Sequence, residues 1–282
     1  MKNLAIRAFS GLIYALIIFF GTTIHPKGLI VLMMVFGLFC LYEFFKITNL
    51  TNKLYKLGAL LAALIVFGYY GKEFLEAFET SNHYYFHLRS LYFIIPVLFV
   101  FSIYVIFKST NELLNDFGKV TLGLTYVIAP FAVALTLPSF DYALGEKVMH
   151  YEVFFVFLLL WCSDTFAYLT GNLIGKHKLA PKISGAKTWE GFFGGIVFTL
   201  IAGFLIQNYF GDNLHGNWMI IGLIVAALGP VGDLTESKLK RFFNVKDSSN
   251  LIPGHGGFLD RLDSFIFVVP FVYLYYLFVY IL

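Results

Sequence analysis

Long apolar runs separated by short polar segments dominate the chain. Eight runs reach or approach the 17–25 residues or so that a membrane-spanning helix needs. They lie at about 5–24, 28–45, 57–71, 91–107, 118–137, 153–172, 190–209 and 264–282. A ninth run, 217–231, ends at Gly232-Asp233 and is predicted to continue as a helix into a polar stretch. The pattern predicts an all-α fold, a polytopic integral membrane bundle of about nine transmembrane helices.

Composition agrees with a membrane protein of one integrated domain. Apolar residues make up 59% of the chain and charged residues 13%, whereas soluble domains carry about 25% charge. The first apolar run follows Lys2 and Arg7 without a small-residue cleavage site, so we expect an uncleaved span. No polar segment is long enough for a separate domain. We therefore expect an N-terminal scaffold at 1–150 and a C-terminal catalytic region at 151–282.

The distribution of basic residues predicts the orientation. With the N-terminus inside, 16 of the 20 Lys and Arg residues fall in inner segments. The outer segments hold the other four, Lys27, Lys72, Arg89 and Lys147. Because inner loops of membrane proteins carry an excess of Lys and Arg, the N-terminus is predicted to be cytoplasmic. The net charge of +3 follows from this asymmetry, and nucleic acid is not an expected partner.

Three residues of the predicted spans have a structural interpretation. Cys40 and Cys162 lie inside apolar runs, where a thiol is usually a small packing group. Glu43 is three residues from Lys46, and we expect a pair at the end of a helix. None of these positions suggests a disulfide framework or a cysteine-based metal site.

Asp164 interrupts the apolar run at 153–172. A carboxylate within the membrane is costly and is a functional candidate by default, the alternative being a structural partner for a Lys or Arg of a neighbouring helix. Lys187 follows soon after, just before a helix predicted to begin at about Thr188. The N-terminus of a helix favours anions, so this lysine is placed to meet one.

The stretch 229–263 concentrates polar chemistry between two apolar runs. Asp233, Glu236 and Ser237 lie near one face if the helix continues, and Asp260 and Asp263 share a face at the start of the last span. A glycine-rich loop, 253–257, joins the two helix ends. Carboxylate oxygens suit hard cations, so the layout predicts one or two divalent cations holding a polyphosphate. Taken singly, Asp260-Arg261 could be a surface pair, Lys240-Arg241 an orientation signal and His255 a structural residue.

These residues resemble the signature of phosphatidate cytidylyltransferases, also called CDP-diacylglycerol synthases. The resembling pattern is Ser237-x-Leu239-Lys240-Arg241, then Lys246-Asp247, then Leu251-Ile252-Pro253-Gly254-His255-Gly256-Gly257-x-Leu259-Asp260-Arg261-x-Asp263. Further matches at Asp164, Lys187 and Asp233 extend the resemblance over roughly 161–263. The chain departs from the family at Gly185-Ala186, where a proline and often a second basic residue are usual.

The resemblance implies that CTP and phosphatidic acid react to give CDP-diacylglycerol and pyrophosphate, with Mg²⁺ required. The implied metal ligands are Asp233, Ser237, Asp260 and Asp263. The implied catalytic residues are Asp233, Lys240, Arg241, Asp260 and Asp263. The implied substrate-binding residues are Asp164, Lys187, Ser237, Lys246, His255, Gly256, Gly257 and Arg261. The implied location is a bacterial inner membrane with the site facing the cytoplasm; membrane lipids are partners, and a homodimer is left open.

Two rival functions are compatible with parts of the same pattern. A CTP-dependent lipid kinase of the polyprenol type would also need a membrane nucleotide site, with Asp164 or Asp247 as the base for a hydroxyl. It would yield a phosphorylated lipid and CDP in place of CDP-lipid and pyrophosphate. A transporter would place polar residues near the membrane midplane in two similar halves, whereas here they crowd one end of the spans.

Overall fold

The computed structural model describes residues 2–79, 94–108, 115–139, 151–181, 184–246, 248–249, 251–252 and 256–280. The predicted site residues Asp247 and His255 lie outside these ranges. The α-helices are α1 Lys2–Thr23, α2 Pro26–Ile47, α3 Lys53–Glu79, α4 Ile94–Lys108, α5 Asp116–Leu122, α6 Ala129–Ala134, α7 Glu152–Ile174, α8 Trp189–Phe210, α9 Trp218–Phe242 and α10 Leu259–Tyr280. Strands β1 Lys178–Ala180 and β2 Ser184–Thr188 form an antiparallel hairpin before α8.

Within the described ranges, 7 helical segments are long and apolar enough to cross a membrane. They are Pro26–Ile47, Lys53–Leu75, Asp116–Ala134, Glu152–Ile174, Trp189–Phe210, Trp218–Phe242 and Leu259–Val279. Two shorter apolar segments, Phe9–Thr23 and Ile94–Lys108, correspond to the other predicted spans. The prediction of an all-α membrane bundle is confirmed, apart from the unpredicted hairpin. The count of nine spans and the orientation stay predictions.

Proline interrupts one of these segments. A π-helical turn, Gly123–Ile128, joins α5 to α6 directly before Pro130. Proline cannot donate a backbone hydrogen bond, and a widened turn is one way in which a helix accommodates the missing bond. The segment therefore crosses the bundle as one irregular helix instead of ending at the proline.

Among the seven long apolar segments of the described ranges, the one in α10 is the most deeply packed, with 72% of its apolar window buried. Phe265, Val268, Val272 and Tyr276 recur at helical spacing and are all at most 1% exposed. Because lipid tails are as apolar as these side chains, close van der Waals packing of the stripe against the neighbouring helices is what holds α10 in place. The helix is thereby a fixed support for the carboxylates in its first turn.

A close approach of α9 and α10 brings the polar ends of the two helices together. A Cβ atom at Gly232 would lie 2.7 Å from Phe267 Cβ and 2.8 Å from the Asp263 carbonyl oxygen. Glycine is required here because any side chain would push the helices apart. The contact places Asp233, the next residue of α9, beside the start of α10.

Candidate active site

Three carboxylates converge where α9 meets α10. Ligand oxygens of Asp233, Glu236 and Asp263 all lie within 4.8 Å of one another. Glu236 is 1% exposed and Asp263 is 8% exposed, while Asp233 is partly accessible. The Glu236 Oε1 atom is buried and has no hydrogen-bond partner among the described residues. A buried oxygen without a partner is costly, and a group of carboxylate oxygens of this kind fits a hard divalent cation.

Lys187 reaches this cluster from the end of β2. Its Nζ atom lies 2.5 Å from Asp233 Oδ2 and donates to the Pro230 carbonyl oxygen at 3.2 Å. Helix α8 starts at Trp189, as predicted, and the Thr188 hydroxyl caps it by accepting from Gly191 N at 3.1 Å. The hairpin and the cap together hold the lysine against the carboxylates.

Lys240 bridges Glu236 of this cluster and a fourth carboxylate, Asp260. Its Nζ atom lies 2.5 Å from Glu236 Oε2 and 2.6 Å from Asp260 Oδ1. Asp260 Oδ2 accepts from the Ser248 hydroxyl at 2.9 Å and from Gly257 N at 2.9 Å. Both Asp260 oxygens are therefore bound by the lysine and by the loop before α10. The role of Asp260 as a metal ligand stays a prediction, while Glu236 joins the cluster although the sequence analysis did not assign it.

Glu43, near the end of α2, is a second residue, after Glu236, that the sequence did not assign to the site. The expected pairing with Lys46 is wrong, because the fully buried Glu43 carboxylate faces the loop before α10. It accepts from Ser249 Oγ at 2.5 Å, Leu259 N at 2.8 Å, Ser248 Oγ at 2.9 Å and Phe258 N at 3.0 Å. An anion receiving the first N–H groups of a helix satisfies donors that lack partners. Glu43 thus fixes the start of α10 from the N-terminal half of the chain.

Gly257 makes that connection sterically feasible. A Cβ atom there would overlap the Ser248 hydroxyl and would approach the Glu43 carboxylate to within 2.6 Å. Gly256 accepts a backbone hydrogen bond from Ile252 N at 2.9 Å, which closes the loop. Gly256 also has a φ of 83°, and a Cβ atom there would lie 2.8 Å from Asp260 Oδ2, so both positions have a structural reason for glycine. Their predicted contact with substrate stays a prediction.

Asp164 lies where two cavities meet. One cavity, of about 330 Å³, also contacts Asp260, Arg261 and Asp263 and lies between α1, α7 and α10. The other, of about 220 Å³, contacts Lys187 and lies between α7, β2 and α8. The intramembrane aspartate therefore belongs to the neighbourhood of the carboxylate cluster, although its chemical role stays a prediction.

Other predicted site residues among the described ranges differ in their contacts. Ser237 Oγ donates to Asp233 Oδ1 at 3.2 Å. Arg241 and Lys246 are exposed and line neither of the two cavities. At the departure from the family pattern, Ala186 lines the smaller cavity, and the space around Gly185 is open.

Comparison with known proteins extends over nearly the whole chain. The model of the cytidylyltransferase family matches residues 5–279. A Bacillus subtilis (strain 168) protein named phosphatidate cytidylyltransferase is 31% identical over 274 residues, 97% of each chain. The Staphylococcus aureus (strain COL) protein of that name is 40% identical over 185 residues, 65% of this chain and 66% of its own length. The Haemophilus influenzae protein of that name is 41% identical over 163 residues, 53% of this chain and 57% of its own length.

Proposed function

The chain belongs to the cytidylyltransferase family, and from this premise we propose that it makes CDP-diacylglycerol and pyrophosphate from CTP and phosphatidic acid. The observation that carries the proposal is the group of three carboxylates with Lys187 on one side and Lys240 on the other. Carboxylates and ammonium groups in one place are what two phosphate-bearing reactants and a divalent cation require. The names of the relatives favour this reaction over a lipid kinase.

We propose Mg²⁺ as the cation, held by Asp233, Glu236 and Asp263. The donor set supports this choice, because it consists of carboxylate oxygens and includes a buried oxygen without a hydrogen bond. Hard oxygen donors are the ligands that Mg²⁺ prefers. The bound ion supplies positive charge to the polyphosphate.

The two lysines hold the phosphates of the reactants. The Lys187 ammonium group contacts Asp233, and the Lys240 ammonium group lies between Glu236 and Asp260. Each ammonium group can donate to a phosphate oxygen as well as to its carboxylate. Arg261 lines the larger cavity and is the proposed contact for the phosphate of the lipid. Ordered donors of this kind lower the repulsion between two anions and stabilise charge on the leaving group.

The reaction needs positioning more than proton transfer. A phosphate monoester has a second pKa of about 6, so phosphatidate arrives with an ionised oxygen. That oxygen forms a bond to the α-phosphorus of CTP, the bond from the α-phosphorus to the bridging oxygen breaks, and pyrophosphate leaves. The residues of the site align the two reactants for this displacement. A general base is not required.

Two labels on CTP test the proposal against the kinase alternative. Purified protein is incubated with phosphatidate, Mg²⁺ and CTP that carries ³²P at either the α or the γ position. We expect the α label in the lipid extract and the γ label in pyrophosphate. Transfer of the γ label to lipid would identify a kinase, and the absence of both transfers would refute the proposal.

The nine-span topology completes the proposal. Seven long apolar helices and two shorter ones supply the spans. An odd number of crossings puts the two chain ends on opposite sides, and the excess of basic residues favours the N-terminus inside. The proposed enzyme lies in the bacterial inner membrane with its site open to cytoplasmic CTP.

A further inference from the structure

A large apolar groove runs along the N-terminal helices, outside the part of the chain that carries the carboxylates. Its volume is about 870 Å³, and its lining is provided by one face of α1, one face of α2 and the loop before α10. The lining positions on α1 span Phe9 to Gly21, which corresponds to about 18 Å of helix at 1.5 Å per residue. One leaflet of a bilayer has a hydrocarbon thickness of about 15 Å, half of the ~30 Å core. The groove therefore matches one leaflet in length.

The groove and the larger polar cavity are continuous. Ser10, Tyr14 and Ile252 line both spaces. The polar cavity is also lined by Arg261 and Asp263. A ligand that fills both spaces must combine a charged group with a long apolar chain.

Tyr14 stands at the junction with an unused polar group. Its hydroxyl is buried and has no hydrogen-bond partner among the described residues. Its ring stacks on Phe36, with ring centroids 6.0 Å apart and an interplanar angle of 17°, which fixes its position in the groove wall. A buried tyrosine hydroxyl usually finds a partner. A ligand with an acceptor between its charged and apolar parts would provide one.

We propose that this groove holds one acyl chain of phosphatidate, with the Tyr14 hydroxyl donating to the ester carbonyl and the phosphate lying in the polar cavity. This assignment rests on the proposed function. Phosphatidate has its charge, its ester oxygens and its apolar chain in the order in which the cavity, Tyr14 and the groove follow one another. The N-terminal half is thereby part of the lipid-binding site and not only a scaffold.

Narrowing the groove tests the assignment. Val31 lines it and is 54% exposed; Val197, on α8, is also 54% exposed but lies outside the groove, which makes it a matched control. Full-length wild type, Val31→Trp and Val197→Trp are assayed with dioctanoyl and dipalmitoyl phosphatidate in mixed micelles. We expect Val31→Trp to lower the ratio of kcat/KM for the long lipid over the short one by about tenfold, because the longer chain would have to enter space that the tryptophan ring already fills. Val197→Trp should keep the wild-type ratio.

Tyr14→Phe supplies a second measurement that does not depend on groove volume. It should raise the KM for phosphatidate of both lengths and leave the KM for CTP unchanged. The inference would be overturned if Val31→Trp and Val197→Trp had the same ratio of kcat/KM for the long lipid over the short one and Tyr14→Phe had an unchanged KM for phosphatidate. The proposed function would still stand. A wild type inactive with both lipids would instead refute the proposed function. Disulfide-linked dimers of a Val35→Cys variant, with phosphatidate failing to prevent them, would assign the groove to a second copy and overturn the inference as well.

Discussion

Lys240 lies between two carboxylates in different surroundings. Glu236 is buried with one oxygen lacking a hydrogen bond, whereas both oxygens of Asp260 are engaged by Lys240, Ser248 and Gly257. A free oxygen can accept a cation at little cost, but a saturated one must first give up its donors. Removing the charge of Glu236 and removing that of Asp260 should therefore impair activity in different ways.

The response to Mg²⁺ separates these two roles. In Glu236→Gln, we expect the Mg²⁺ concentration for half-maximal activity to rise by about 10–100-fold, in line with the affinity lost when a metal site is perturbed. In Asp260→Asn, we expect a lower kcat that added Mg²⁺ does not restore, because Lys240 and the loop lose their anchor. Titration of both variants with Mg²⁺ measures the difference. If high Mg²⁺ restored the activity of Asp260→Asn, Asp260 would be a metal ligand.

Gly257 offers a test of packing at a single atom. We expect Gly257→Ala to destabilise the protein by about 1–3 kcal/mol, the usual cost of forcing an extra methyl group into a filled space. Gly58→Ala, in α3, is the control, since a Cβ there meets nothing within 4 Å. Thermal unfolding in detergent should show a lower midpoint for the first variant only. Equal unfolding midpoints for the two variants would show that the loop before α10 accommodates the extra methyl group without loss of stability.

At the scale of elements, α10 depends on α2 for its start. Glu43 accepts from Phe258 N and Leu259 N, and it also binds the hydroxyls of Ser248 and Ser249. The four contacts join residues 205 to 216 positions apart. A sequence pattern confined to the C-terminal half cannot reveal such a contact, and the nearby Lys46 offered a misleading local partner.

Glu43→Gln should therefore impair the enzyme from outside the catalytic region. The amide leaves one acceptor oxygen and turns an N–H₂ group toward donors, so we expect a loss of about 1–3 kcal/mol in stability and a lower kcat. Asp116→Asn is the control, because Asp116 makes a partly exposed pair with Lys119 at 3.6 Å. Activity and the unfolding midpoint are measured for both variants. If Glu43→Gln kept wild-type activity and the wild-type unfolding midpoint, α2 would not be needed to hold the start of α10.

The hairpin before α8 shows where element prediction fails. Strands of 3 and 5 residues are too short to give a clear alternation of apolar and polar positions. The hairpin is tied to α8 by local contacts, including Trp189 N to the His177 carbonyl oxygen at 2.9 Å and His177 Nδ1 to Glu190 Oε1 at 2.6 Å. The helix start itself was predictable, because Thr188 is a favourable capping residue.

For the whole molecule, apolar run length predicted where the apolar helices lie, whereas the number of spans and the roles of the signature residues stay predictions. Helix period placed Asp233 and Glu236 on one face, and the structure adds Asp263 to them. What the sequence did not provide was the tertiary pairing of α2 with the loop before α10 and the groove along α1. Both depend on how helices pack, which residue spacing along one helix does not determine.

The distribution of basic residues predicts the orientation in the membrane, and direct labelling can test it. Thr51 follows the end of α2 that holds Glu43, and Asp212 lies between α8 and α9; both are exposed. In a background without the native cysteines, Thr51→Cys should resist an impermeant thiol reagent in intact cells and react after lysis. Asp212→Cys should react in intact cells. The opposite pattern would invert the topology and separate the site from cytoplasmic CTP.

The proposed reaction depends above all on binding of a divalent cation by the carboxylates of α9 and α10. Asp263→Asn and the control Asp212→Asn are compared for Mn²⁺ binding by electron paramagnetic resonance and for CDP-diacylglycerol formation in the same detergent preparation. We expect Asp263→Asn to lose Mn²⁺ binding and about 100-fold or more in kcat, the scale of removing one charge-stabilising contact, with Asp212→Asn like wild type. Undiminished Mn²⁺ binding and activity in folded Asp263→Asn would show that these carboxylates do not hold the catalytic cation.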